Sequence, residues 1–147
     1  MGNNQGNQQP NNDIKDTEQI DTKETKETKE TENKEVINVM IDIDGTVSDD
    51  IPNEESYNFR YAEVLENAVE SVNDLYDRGY IITFFTARRE EHRLVTETWL
   101  DEHGFKYHDL LMNKPRGGNY IWIDNHNVLG IKYKDNWHEI TNCFPNF

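Results

Sequence analysis

Apolar residues are sparse up to residue 35 and then gather in short blocks. Before Val36 the apolar side chains beyond Met1 and Pro10 are Ile14 and Ile20. From Val36 to Ile43 the chain reads VINVMIDI, β-branched and nearly apolar throughout, the pattern of a buried strand. From Arg60 to Arg78, Leu65, Val69, Val72 and Tyr76 recur at helical spacing, and Gly79 follows as a stop. Tyr80–Phe85, YIITFF, reads as a second buried strand. Glu90 and Glu91 open a second predicted helix with Leu94, Val95 and Trp99 as its apolar face, closed by Gly104. Tyr107–Met112 is a weaker strand and Tyr120–Asp124, YIWID, another. The segment 131–140 alternates in polarity as an edge strand does, with Trp137 covering the sheet end. The order β-α-β-α-β-β predicts an α/β fold with a mainly parallel sheet flanked by helices. In such sheets ligands sit beyond the carboxyl ends of the strands.

The same pattern divides the chain. Residues 1–12 are mostly Asn, Gln and Gly, and 22–30 repeat Thr-Lys-Glu three times. Such a segment buries too little surface to offset its ordering entropy, so 1–34 is expected to be a disordered tail and 35–147 the folded domain. The formal net charge is −14, of which residues 35–147 carry −11. That excess opposes binding to nucleic-acid backbones and anionic membranes. One cysteine, Cys143, excludes an intramolecular disulfide framework and a cysteine-based zinc cluster. With no signal-like start and no long apolar run, the expectation is a soluble cytoplasmic protein.

Four polar groups fall just past the predicted strands. The first strand runs into Asp42-Ile43-Asp44-Gly45-Thr46, with two carboxylates on one side of an extended chain. Acids this close repel unless a cation or a proton intervenes, and an oxygen-lined Mg²⁺ site resolves the repulsion. The second strand ends in Thr86-Ala87-Arg88, a hydroxyl and N–H groups suited to an anion. The third leads to Asn113-Lys114-Pro115-Arg116, where Lys114 is placed to neutralise a phosphate. The fourth ends at Asp124, a further acid for the metal shell, followed by Asn125, His126 and Asn127.

IDIDGT at 41–46, FFTAR at 84–88, NKP at 113–115 and WID at 122–124 together resemble the haloacid dehalogenase-like superfamily of phosphohydrolases, its small capless members above all. The resemblance implies a Rossmann-like three-layer sandwich without a cap domain. It implies an Mg²⁺-dependent phosphomonoester hydrolase working through an aspartyl-phosphate, with sugar phosphates or nucleotides favoured as substrates. Asp42 maps onto the nucleophile and Asp44 onto the acid/base. Gly45, Thr46, Thr86, Ala87 and Lys114 would hold the phosphoryl group. Asp42, Asp44 and Asp124 would hold the metal, and Arg88, Arg116 and His126 are substrate-reading candidates. Asn125 departs from the acid that many members carry, which weakens the expected metal site.

The alternative is a non-catalytic phosphate-binding or interaction protein on the same scaffold. A receiver-like domain is disfavoured because its phosphoacceptor follows the third strand, where this chain has Asn113. The phosphatase half of a nucleic-acid end-repair enzyme shares the DxDGT pattern, but the negative charge and the short run from Lys114 to Asp124 argue against it. The twelve residues Val47–Asn58 are too short for a cap, so the open site suits an extended small-molecule phosphate ester or shielding by a homo-oligomer partner.

Overall fold

Three strands pair in sequence order. β1 (Asn38–Ile41), β2 (Ile81–Phe85) and β3 (Asp109–Leu111) form a parallel sheet with Ile41 opposite Phe84 and Phe84 opposite Leu110. The structure is a computed structural model that describes Gly2 and residues 34–145. The expected tail at 1–34 therefore lies almost entirely outside the described residues. The sheet and its helices belong to the unit Val36–Phe147.

The helices bury one stripe each. α1 (Ala68–Asp77) turns Ala68, Val72 and Leu75 inward and packs against β2. α2 (Arg93–Glu102) buries Thr96, Trp99 and Leu100. Between them and the sheet lie Ile41, Ile43, Ile82, Phe84 and Leu110, all nearly free of solvent. Burying side chains of this size contributes on the order of 1.5–3 kcal/mol each. Gly79 and Gly104 follow the two helices at positive φ, as the sequence predicts. The architecture is α/β and Rossmann-like. No helix among the described residues is long and apolar enough to cross a membrane.

Four departures from the sequence reading have local causes. The first helix begins at Ala68 rather than near Arg60. Residues 63–65 are already engaged with 47–49, through Asp49 N–H to Glu63 O and Leu65 N–H to Val47 O, and Asn67 sits at φ 62°. In place of the helix start, Asn53–Tyr61 forms 3₁₀ turns broken at Glu55. In α2 the inward face is turned from the expected one: Leu94 is 76% exposed while Thr96 is buried.

The third departure is the largest. Tyr120–Asp124 is not a strand, and Ile121 and Ile123 are 92% and 93% exposed. Local bonds hold this stretch instead. Tyr120 Oη donates to Pro115 O at 2.6 Å, while the Asp124 carboxylate accepts from Trp122 Nε1 and from its own downstream backbone at His126 N. Side-chain bonds of this kind compete with a ladder. Lastly, the expected edge strand at 131–140 gives way to a short helix, α3 (Trp137–Asn142), capped by Asn136 accepting from Glu139 N.

Candidate active site

The chain leaves β1 at Ile41 and turns at once. Gly45 takes φ 79°, and the N–H groups of Thr46, Val47 and Ser48 all donate to Ile43 O. A side chain at position 45 would be strained in this left-handed backbone, so glycine is the natural occupant. Ile43 and Val47 point into the core, which leaves Asp42 and Asp44 on the other side.

The two acids have different surroundings. Asp42 is the more open, its side chain 35% exposed. Its Oδ2 accepts from Thr46 Oγ1 at 3.1 Å, and its Oδ1 lies 3.5 Å from Lys114 Nζ. Asp44 is 16% exposed and held in a fork by Arg88. Nε donates to Oδ2 at 2.9 Å and Nη2 to Oδ1 at 2.7 Å. Burial pushes the Asp44 carboxyl above its ordinary value, and the Arg88 bond and charge pull against that rise without cancelling it.

Arg88 is wholly buried, contrary to its expected place as a reader of substrate. Nη1 donates to Thr96 Oγ1 at 3.1 Å, and the guanidinium lies 3.9 Å from the centroid of the Phe59 ring. Each guanidinium nitrogen makes a bond and the side chain is shut off from solvent, so Arg88 acts on Asp44. The burial of Thr96 and Phe59 has the same origin: they complete the socket of a buried cation.

Thr86, at the end of β2, is buried, with Oγ1 accepting from Arg88 N and its own N–H donating to Leu111 O. Lys114 N donates to Thr86 O at 2.9 Å, which ties the second and third motif loops together and sets the reach of Lys114 toward Asp42. The backbone N–H groups of Gly45 and Thr46 are likewise used within the turn. Ala87 N makes no hydrogen bond among the described residues. Lys114 and the Thr46 hydroxyl thus flank the open Asp42 carboxylate, while the Thr86 side chain is buried.

The remaining candidates stand apart. Asp124 is exposed, its carboxylate held below its ordinary value chiefly by the His126 N–H and then by Trp122. Among the described residues no group of three or more His, Cys, Asp or Glu is placed to hold a metal ion. Asp124 is therefore not brought to Asp42 and Asp44, because the strand that was to carry it does not form. His126 is exposed, and Arg116 pairs with Glu54 at 2.9 Å.

Two supporting bonds could not be read from the sequence, although Trp137 is expected to cover the sheet end. Trp137, from α3, is buried and donates from Nε1 to Thr46 O at 2.8 Å, bracing the first turn. Asn53 donates from Nδ2 to Ala87 O at 3.1 Å, bracing the second. Neither bond has a local pattern that marks it, since each partner lies far away along the chain.

A family model described as PITM 1-3, LNS2 domain, matches residues 39–127, more than half of the chain. No curated protein matches the chain. A crystal structure from Vibrio cholerae is similar at 20% identity and a TM-score of 0.45, covering 63% of this chain and 83% of that one. A chain of the Pnkp1/Rnl/Hen1 complex is similar at 21% identity and a TM-score of 0.48, over 60% of this chain and 32% of that one. A chain of the Pnkp1/Rnl/Hen1 RNA repair complex is similar at 23% and 0.46, over 52% and 26%. The family match corrects the expected assignment to the small capless haloacid dehalogenase-like phosphohydrolases: the matching model is that of the LNS2 domain, which is itself haloacid dehalogenase-like in fold and lies within that phosphatase superfamily.

Proposed function

The chain belongs to the LNS2 domain family, and from that premise we propose that it hydrolyses phosphate monoesters through a phosphorylated Asp42. The observation that carries the reading is the contrast between the acids: an open carboxylate flanked by Lys114 and Thr46, beside a buried one gripped by Arg88.

An oxygen of Asp42 attacks phosphorus, forming a carboxylate–phosphoryl bond as the bond to the ester oxygen breaks. Asp44 supplies the proton that the leaving oxygen takes. Water then attacks the phosphoryl group, Asp44 recovers a proton from it, and phosphate departs with Asp42 regenerated. Splitting one displacement into two lowers the barrier of each. Burial favours the protonated form of Asp44 that the first step needs, and Arg88 fixes its direction. Lys114 offsets charge on the phosphoryl oxygens.

The donors near Asp42 are hard oxygens, which fit Mg²⁺, an ion that commonly takes one or two carboxylates and completes its shell with water and substrate phosphate. The Asp42 carboxylate and the Asp44 backbone carbonyl would hold it. When bound it would supply charge stabilisation at the phosphoryl oxygens.

Phosphate release from p-nitrophenyl phosphate, with and without Mg²⁺, tests the reading beside Asp42→Asn. Metal-dependent turnover that disappears in the variant is the expected result. A second reading, binding of a phosphate ester without turnover, has the Arg88 fork on its side, since both Asp44 oxygens are occupied. Binding of beryllium fluoride with Mg²⁺ but no phosphate release from any ester would favour that second reading and refute the first.

A further inference from the structure

A cavity of about 420 Å³ lies between the 3₁₀ segment and the loops that come after β2 and β3. Asn53, Glu54, Ser56, Arg89, Glu91, His92 and Arg116 line it, and Glu91 lies 3.4 Å from its neighbour His92. None of the residues that touch Asp42 does, so it is a separate chamber. It is nonetheless joined to the Asp42 site at three points. Asn53 bonds the Ala87 carbonyl, Arg89 directly succeeds the residue that grips Asp44, and Arg116 is two residues from Lys114. Two residues of chain span at most about 7 Å.

Both of its arginines face the Glu54 carboxylate at the surface. Arg89 is exposed, and the interaction shown for its side chain is a charge attraction to Glu54, whose carboxyl it helps Arg116 hold below the ordinary value. Arg116 meets Glu54 at 2.9 Å, with the Glu54 side chain mostly in water and that of Arg116 about half so. Such a surface pair is held weakly, so another anion exchanges with Glu54 at small cost. A guanidinium offers planar donors suited to a phosphate or a carboxylate, and Asn53 and Ser56 add polar groups beside it.

We propose that this cavity receives a second anionic group of the substrate, a phosphate or carboxylate on the same molecule, bound by Arg89 and Arg116, with Glu54 standing in its place when the site is empty. The inference rests on the phosphomonoesterase reading for the position of the first phosphate. It narrows the substrate class to esters bearing two separated anions.

Three compounds test it on the full chain: fructose 1,6-bisphosphate and 3-phosphoglycerate, each carrying a second anion, and fructose 6-phosphate, which does not. The preference for each compound with a second anionic group over fructose 6-phosphate, read as a ratio of kcat/KM, is expected to fall about tenfold in Arg89→Ala and in Arg116→Ala, as one charge-assisted bond is lost. Glu54→Gln is expected to raise that preference severalfold. A larger fall for the bisphosphate identifies a phosphate as the second group, and a larger fall for 3-phosphoglycerate a carboxylate. Calorimetric binding of the same compounds to Asp42→Asn and to its double variants with Arg89→Ala reads the preference without turnover, so an inactive enzyme defeats the catalytic reading while this one is still judged. Equal effects on all three compounds, or no preference for a second anion in the parent protein, would overturn the proposal.

Discussion

Arg88 and Asp44 offer the sharpest test of how this site is built. The pair is nearly dry: the cation is wholly buried and the carboxylate 16% exposed. Removing one partner of a buried ion pair strands the other, at a cost of about 3–5 kcal/mol. The small exposure of Asp44 lets water reach the stranded carboxylate, so about 3 kcal/mol is expected for Arg88→Met. Asp44→Asn leaves the guanidinium beside a neutral amide and should cost a similar amount. The double variant strands no charge. Its loss should therefore be no more than about 3 kcal/mol rather than about 6, a coupling of about 3 kcal/mol or more. Urea denaturation followed by tryptophan fluorescence measures all four proteins. With a slope of about 1–3 kcal/mol per molar for a domain of this size, each single variant shifts the midpoint by at least about 1 M. Arg88→Lys should recover little, because an ammonium cannot reproduce the fork or reach Thr96 at the same time. Losses that add to within about 0.5 kcal/mol in the double variant would refute the reading of a dry, mutually dependent pair.

Two further outcomes come from the packing. Trp137→Phe keeps an aromatic ring but removes the bond to Thr46 O, so stability should fall by about 1 kcal/mol; hydrogen exchange should quicken at 43–48 more than in α2, and equal change in both would contradict the brace. Tyr107 is pushed up to about 12, first by burial and then by its bond to Asp101, from an ordinary value of 10.0. A group raised on folding contributes fully below its unfolded value and loses that contribution as pH climbs through the folded one. Stability should therefore drop between about pH 10 and 12, and Tyr107→Phe should flatten that stretch of the urea midpoint against pH; an unchanged slope would show that another group titrates there.

Much of the site could be read from residue order because its parts are local. Asp42, Thr86 and Lys114 each sit just after a short apolar strand, and parallel pairing brings such tips to one edge. Apolar runs and glycine stops suffice to place β1, β2, α1 and α2, though not their ends. What escaped reading depends on partners distant in sequence. A periodic pattern does not say that Thr96 turns inward to meet Arg88 while Leu94 faces water. Nor does it say that Arg88, a cation after a strand, is the core of a socket. YIWID has the composition of a buried strand, yet burial is a property of neighbours, and here Ile121 and Ile123 face solvent. Trp137 could be expected to cover the sheet end, but its bond to Thr46 O and that of Asn53 to Ala87 O reach carbonyls far along the chain and leave no motif.

The brace from Trp137 to Thr46 also orders events in time. The two residues are 91 positions apart. At synthesis rates of about 5–20 residues per second, the nascent chain carries its acid pair for roughly 5–20 seconds before residue 137 has been joined to it. During that interval the turn that shapes Asp42 lacks its indole partner, and Arg78 and Tyr80 lack the carbonyls of residues 144 and 145 to which they later bond. The machinery is thus laid down first and locked last, so a chain interrupted before residue 137 would display every motif and still hold the first of them unsecured.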